Sequence, residues 1–166
     1  MSTAAMSVKS PIDFISQSPE QTLLTGEHLG AACRGGEIVW LSGALGAGKT
    51  VLTQGIARGL EIEKTVTSPT FTVLKEYAGR LNLFHFDFYR LETQTRDPWA
   101  EFSDYLRSDA VCVVEWAEHG LAFLGESYLR VNLRYISFGK RAIQLVAHGN
   151  EYDELLHRFQ SMAFRA

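Results

Sequence analysis

The chain has 166 residues and a formal net charge of −3 at pH 7, and 46% of its residues are hydrophobic. These values predict a globular protein with a sizeable core and disfavour a protein that binds nucleic acid through a basic face of its own. Because no apolar stretch reaches bilayer length and no charged-then-apolar leader opens the sequence, we expect a cytoplasmic protein without membrane contact.

The start of the chain predicts a short tail followed by a strand and a helix. Residues 1–10 are small and polar and are expected to form a flexible N-terminus, and residues 11–166 to form a single domain. An edge strand is predicted at residues 11–16. Ser18, Pro19 and Gln21 have the pattern of a capped helix start, and the helix should end after Ala32, before two glycines. Its buried side is expected to carry Leu23, Leu24, Leu29 and Ala32.

Residues 43–50 fit the phosphate-binding pattern G-x-x-x-x-G-K-[ST], between a strand-like run at 37–41 and a helix-like run at 51–60. Glycines and small residues allow backbone N–H groups to turn inward around phosphates. Lys49 would reach the β- and γ-phosphates, and the hydroxyl of Thr50 would bind Mg²⁺. The alternative is a glycine-rich turn with an incidental lysine. The predicted nucleotide contacts are Gly43, Ala44, Leu45, Gly46, Ala47, Gly48, Lys49 and Thr50.

The second half of the chain predicts a mixed sheet. A polar segment with a proline at residues 66–71 is expected to form a loop near the phosphates, with Ser68 and Thr70 as contacts. Further predicted elements are a strand pair at 71–77 and 81–89, a helix at 98–106, a buried parallel strand at 110–115, a hairpin of 128–135 with 141–147, and a helix at 151–164. We therefore expect a three-layer α/β, P-loop NTPase-like domain with a mixed, mainly parallel central sheet and antiparallel hairpins toward one edge.

Two acids are candidates for holding Mg²⁺ and for catalysis beside Lys49. Asp87 lies among aromatic residues, where burial without a cation or metal would be costly. Glu115 lies at the carboxyl end of a predicted strand, where α/β sheets place their ligand crevices. Either residue fits the role. The alternatives are a salt bridge of Asp87 with Arg90, and a capping role for Glu115.

Other candidate residues have two interpretations each. Trp116 is expected either to pack on the nucleotide or to be an aromatic residue at the edge of the core. His85 fits a half-buried structural histidine better than a catalytic one. Arg90, Lys140 and Arg141 could neutralise phosphate charge or be solvated surface cations. The cysteines, Cys33 and Cys112, lie in apolar surroundings that predict buried free thiols, which suits a reducing cytoplasm.

Four motifs occur in one order along the chain: G-x-L-G-A-G-K-T from residue 43, S-P-T-F-T from residue 68, H-F-D-F-Y-R-L from residue 85 and V-E-W from residue 114. This set closely resembles the bacterial tRNA threonylcarbamoyladenosine biosynthesis ATPase family, TsaE, also called YjeE. The resemblance spans nearly the whole domain. Four co-linear motifs are far more specific than the phosphate-binding loop alone.

The resemblance implies a small, Mg²⁺-dependent ATPase that acts with the TsaD and TsaB proteins and meets tRNA only through that complex. It implies Mg²⁺ contacts for Thr50 and Glu115, a role in activity for Asp87, and a switch loop at residues 68–70. It also implies an adenine-side contact near Ser18. Two other interpretations of the loop are a small-molecule kinase, which would need a lid that the chain does not offer, and a nucleotide-dependent scaffold that does not need hydrolysis.

The chain departs from the family pattern in three places. Ala44 stands where the family usually has an acid, which removes a negative charge beside the phosphates and could alter metal affinity or turnover. Ala117 stands where a proline is usual. Residues 92–102 fit the acidic family pattern poorly, which puts a partner contact there in question.

Overall fold

The computed structural model describes residues 11–69, 73–89, 98–116 and 124–164, without the side chains of residues 98–101. The predicted flexible N-terminus at 1–10 lies outside these ranges, as do Thr70 and Arg90. The strands are β1 (Ile12–Ser16), β2 (Ile38–Ser42), β3 (Leu74–Tyr77), β4 (Leu83–Asp87), β5 (Val111–Glu115), β6 (Tyr128–Ser137) and β7 (Lys140–His148). The helices are α1 (Pro19–Ala32), α2 (Lys49–Gly59), α3 (Pro98–Leu106) and α4 (Asn150–Ala163).

The strands form one sheet in the order β1-β7-β6-β2-β5-β4-β3. Strands β6, β2, β5 and β4 are parallel neighbours in its centre, whereas β1–β7, β6–β7 and β3–β4 pair antiparallel. The predicted mixed α/β fold is therefore confirmed. The expectation of hairpins toward one edge is wrong, because β6 joins one side of β2 while β4 joins the far side of β5, which leaves an antiparallel pair at each end.

Alternating side chains of the central strands enter two separate cores. Val39 and Val113 face the core beneath α1, α2 and α4, whereas Trp40 and Val114 face the core that α3 covers. This alternation is what a strand buried on both faces requires. Glu115 and His85 continue the register of the first face, so these polar side chains lie on the same side of the sheet as α2.

Helices α1 and α2 pack backbone to backbone. A Cβ atom on Gly30 of α1 would overlap the carbonyl oxygen of Ile56 in α2, so only glycine permits this approach. The contact stripe of α1 therefore consists of small residues with Leu29, and the predicted inward position of Leu24 is wrong, since this side chain is 47% exposed. The predicted start of α1 is confirmed, because the Ser18 side chain accepts a hydrogen bond from the Gln21 amide.

Cys33 and Cys112 are free and buried, as predicted. Burial raises the pKa of the Cys112 thiol to about 12 and raises the pKa of Cys33 as well. Both thiols therefore stay protonated and unreactive in the folded protein. In the described part of the chain, no helix has the length and apolar character needed to cross a membrane.

Candidate functional site

The predicted phosphate-binding loop joins the end of β2 to the start of α2. Helix α2 begins at Lys49, and Gly48 before it has a φ of 104°, in the left-handed region that glycine adopts without strain. Gly46 has a φ of 80° and no atoms in the way of a side chain, so its requirement is one of backbone conformation alone. The free N–H groups of the first turn of α2 therefore open toward the loop, which is the arrangement that binds anions.

Lys49 is held inside the loop by two contacts. Its Nζ donates a hydrogen bond of 2.8 Å to the Gly43 carbonyl and lies 4.0 Å from the ring centroid of Trp116. The residue is 7% exposed. A buried ammonium group with one carbonyl and an aromatic face as partners is poised to exchange that carbonyl for a more strongly attracting anion.

Trp116 reaches Lys49 because its backbone makes an unusual turn directly after β5. Its φ of 58° places a bulky, non-glycine residue in the left-handed region, which costs about 1 kcal/mol or more. The ring of Tyr89 lies 5.1 Å from the Trp116 ring. Trp116 thus lies over the loop lysine and also packs, partly buried, against the core that α3 covers, as its core-edge interpretation expected. Tyr89 is a site residue that the sequence analysis did not select. Its position two residues after Asp87, in the same aromatic motif, was the available signal.

The two predicted acids lie side by side at the ends of neighbouring strands. Asp87 of β4 and Glu115 of β5 are partners in the parallel register. Partial burial raises the pKa of Asp87, the nearby Glu115 raises it further, and a hydrogen bond of 3.0 Å from the Tyr89 amide to Oδ1 opposes this. Two neighbouring carboxylates that repel each other favour a shared cation.

Glu115 is buried and is held by His85, which is itself fully buried rather than half-buried as expected. The His85 Nε2 lies 2.8 Å from Glu115 Oε2. The His85 tautomer that carries its hydrogen on Nε2 is the one that donates to a Glu115 carboxylate, because a carboxylate can only accept. The other ring nitrogen, Nδ1, is buried and has no hydrogen-bond partner within the described ranges. His85 therefore fixes the orientation of Glu115, and this contact replaces the capping role considered for that residue.

A cavity of about 630 Å³ joins these groups. Its volume lies within the usual range for small-molecule sites. It brings together the predicted residues Leu45, Gly46, Gly48, Lys49, Thr50, Ser68, Asp87, Glu115 and Trp116, and adds Val51, Tyr89 and Arg141. Gly43, Ala44 and Ala47 belong to the same loop without lining the cavity, and the predicted contact Thr70 lies outside the described residues.

The cations considered as phosphate contacts separate into two kinds. Lys140 is exposed, as expected for a solvated surface cation. Arg141 lines the cavity, yet it donates hydrogen bonds to the carbonyl oxygens of Gly46 and Ala47 in the loop. Arg90, and with it the salt bridge considered for Asp87, lies outside the described residues.

The oxygen donors of this cavity fit Mg²⁺. The Thr50 hydroxyl and the two carboxylates are hard ligands of the type that magnesium prefers, and magnesium at phosphate sites takes its remaining ligands from phosphate and water. Among residues 11–69, 73–89, 98–116 and 124–164, no cluster of three or more His, Cys, Asp or Glu side chains suited to a metal occurs.

Comparison with known proteins gives one consistent result. The family described as threonylcarbamoyl adenosine biosynthesis protein TsaE matches residues 16–143. The chain is similar to proteins named tRNA threonylcarbamoyladenosine biosynthesis protein TsaE from Bacillus subtilis, 38% identical over 83% of this chain and 87% of the relative, and from Haemophilus influenzae, 37% identical over 75% and 78%. Its fold is similar to the crystal structure of Bacillus subtilis YdiB, with a TM-score of 0.77, 30% identity and coverage of 94% and 97%.

Proposed function

The chain belongs to the TsaE family, and from this premise we propose that it is the ATPase subunit of the machinery that makes threonylcarbamoyladenosine in tRNA. The family places the chain in tRNA threonylcarbamoyladenosine biosynthesis and implies nucleotide binding. Binding and hydrolysis of ATP with Mg²⁺ is the finer proposal. The observation that supports it most directly is the cavity in which Lys49 and Thr50 of the loop meet Asp87 and Glu115.

In this proposal the loop binds the phosphates and the strand ends supply the negative ligands. Lys49 exchanges its bond to the Gly43 carbonyl for oxygens of the β- and γ-phosphates, and the amides at the start of α2 donate to the same anion. The Thr50 hydroxyl and at least one of Asp87 and Glu115 hold Mg²⁺, which when bound neutralises charge that develops on the phosphates.

Trp116 and Ser68 are proposed as further nucleotide contacts. Trp116 already covers Lys49 at 4.0 Å, so its ring lies where it can exclude water from the phosphates. Ser68 lines the cavity from the segment between α2 and β3. The two residues before Ser68 are held in place, since Gln54 donates to the Val66 carbonyl and Lys75 to the Thr67 hydroxyl. A segment held at its start and facing the phosphates suits a switch that responds to the γ-phosphate.

The proposed partners are the TsaD and TsaB proteins, with tRNA reached only through their complex, in the cytoplasm. The net charge of −3 supports this indirect contact with tRNA, because a protein that binds nucleic acid alone usually carries a basic face. In this chain Ala44 stands at the position after the first loop glycine, where the family usually has an acid. The carboxylates of the site are therefore those at the ends of β4 and β5.

The test is ATP hydrolysis by the purified chain, alone and with TsaB, TsaD and tRNA. We compare the wild type with Lys49→Ala and Glu115→Ala, and with Glu126→Ala as a control for loss of an exposed acid. Turnover stimulated by the partners and reduced at least about a hundredfold in both site variants, but not in the control, supports the proposal.

Two other outcomes would overturn it in different ways. Transfer of phosphate to a small acceptor would indicate a kinase instead of an ATPase subunit. Undiminished tRNA modification by Glu115→Ala, with ATP bound but uncleaved, would indicate a nucleotide-dependent scaffold.

A further inference from the structure

Arg141, the second residue of β7, ties the phosphate-binding loop to the turn between β6 and β7. Its guanidinium donates four hydrogen bonds to backbone carbonyls: Nε to Ala47 at 3.0 Å, Nη2 to Gly46 at 3.3 Å, and Nη1 to Ser137 at 3.2 Å and Lys140 at 2.9 Å. The same group stacks on the ring of Tyr135, with its central carbon 4.7 Å from the ring centroid. The guanidinium is therefore committed to a fixed position between two backbone segments.

The loop carbonyls that Arg141 holds determine where two loop amides point. In a planar trans peptide the C=O and N–H bonds point in opposite directions. Fixing the Gly46 and Ala47 carbonyls toward Arg141 therefore turns the N–H groups of Ala47 and Gly48 away from it. The Ala47 amide donates to the Ala44 carbonyl within the loop at 3.0 Å, which agrees with a direction away from Arg141.

We propose that Arg141 is a positioning residue that shapes the phosphate-binding loop through its carbonyls, and that its effect on nucleotide binding comes from this geometry rather than from its charge. The effect on binding rests on the proposed nucleotide site, whereas the effect on the loop does not. Arginine suits the task because its planar fork can hold several carbonyls at once, whereas a lysine ammonium is a point charge on a flexible stem.

The two interpretations of Arg141 predict different results for Arg141→Lys. If charge near the phosphates matters, lysine restores most of the function; if the fork matters, lysine behaves like the neutral variant Arg141→Met. Lys140→Met is the matched control, because it removes the same charge from the adjacent, exposed position and leaves the Lys140 carbonyl in place.

The first measurement is hydrogen exchange of the loop amides in the nucleotide-free protein, which requires no activity. We expect exchange of the Ala47 amide, which donates to the Ala44 carbonyl, to be about tenfold faster or more in both Arg141 variants than in the wild type and in Lys140→Met, as fits the loss of the charged hydrogen bonds that hold the loop. The second is the dissociation constant for MgADP and for a non-hydrolysable MgATP analogue, by calorimetry. Both Arg141 variants should bind these nucleotides about tenfold more weakly than the wild type does. The control, Lys140→Met, should keep the wild-type melting temperature.

If Arg141→Lys shows the amide exchange and the nucleotide affinity of the wild type, the inference is wrong, and Arg141 acts through its charge. If Arg141→Met fails to fold, Arg141→Lys against Lys140→Met still decides the question. If the wild type itself binds no nucleotide, the proposed function fails, yet the exchange measurement still supports or overturns the loop-shaping role.

Discussion

Helix α2 serves two regions of the molecule with opposite requirements. Along its flank it packs against α1 so closely that a Cβ on Gly30 would strike the Ile56 carbonyl. At its N-terminal end, the loop residue Gly46 has open space around it and a φ of 80°. We call the first region the packing flank and the second, together with the ends of β4 and β5, the ligand end. One rigid helix thus fixes the position of a loop that is itself shaped for a ligand.

The difference teaches that similar residues have different roles in the two regions. On the packing flank a glycine removes bulk, and the benefit is stability of the fold. At the ligand end a glycine supplies a left-handed conformation, and a buried lysine and two neighbouring carboxylates add charges that favour a bound ligand over the empty fold. Stability and binding should therefore respond separately to substitutions in the two regions.

His85 should break this separation, because it lies in the core and also holds Glu115. We expect His85→Leu to lower the free energy of unfolding by about 3 kcal/mol, since the buried carboxylate loses its donor. It should also weaken Mg²⁺-dependent nucleotide binding about tenfold. His85→Gln keeps an N–H donor and should recover most of both. Thermal unfolding and Mg²⁺ titration of nucleotide affinity are the measurements, and equal behaviour of the two variants would contradict an orienting role.

Gly30→Ala tests whether the packing flank affects stability without affecting nucleotide binding. The added methyl group forces two helix backbones apart, and we expect a loss of about 2 kcal/mol after the gain in helix propensity, or roughly 4 to 8 °C in melting temperature. Nucleotide affinity of the folded variant should stay within about twofold of the wild type, because additive effects are expected at distant sites. A large fall in affinity at unchanged melting temperature would show that the two regions are not separate.

Gly46→Ala makes the same chemical change at the ligand end. Nothing obstructs the methyl group, so the cost is the left-handed conformation, about 1 kcal/mol. Because an exposed loop can relax, we expect this cost mainly as about fivefold weaker nucleotide binding, with little change in melting temperature. Gly46→Asn should be milder, since asparagine tolerates this region of φ. Equal affinities for all three proteins would show that the loop does not need this conformation to bind.

Asp87→Asn should give the smallest effect on stability, and its stability and its turnover should change in opposite directions. The raised pKa of Asp87 means that the fold disfavours its ionised form, so a neutral amide should raise the melting temperature by at most about 2 °C near neutral pH. This advantage should disappear as the pH falls through the raised pKa, because Asp87 is then protonated. Under the proposed function turnover should fall, since asparagine lacks the carboxylate that is proposed to help hold Mg²⁺. Asp104→Asn, at an exposed position, is the control for thermal unfolding across pH.

Much of the site was predictable because local patterns encode it. The loop motif placed Lys49 and Thr50 between a strand and a helix, and a continuous apolar run that ends in an acid placed Glu115 at a strand end. Leu24 shows the limit, because apolar spacing predicts which side of a helix is buried but not how closely the next helix approaches. His85 and Arg141 show the same limit for polar residues, since their partners lie on other elements far along the chain.

The sequence by itself determined the order and type of the elements, the phosphate-binding loop and the family, because each depends on residues that are close in the chain. Only the tertiary structure decided which hairpin lies at which end of the sheet, that Trp116 covers Lys49, and that Glu115 takes its partner from β4. These features depend on the pairing of distant strands. One parallel register, Asp87 beside Glu115, assembles the ligand end from two motifs that lie apart in the sequence.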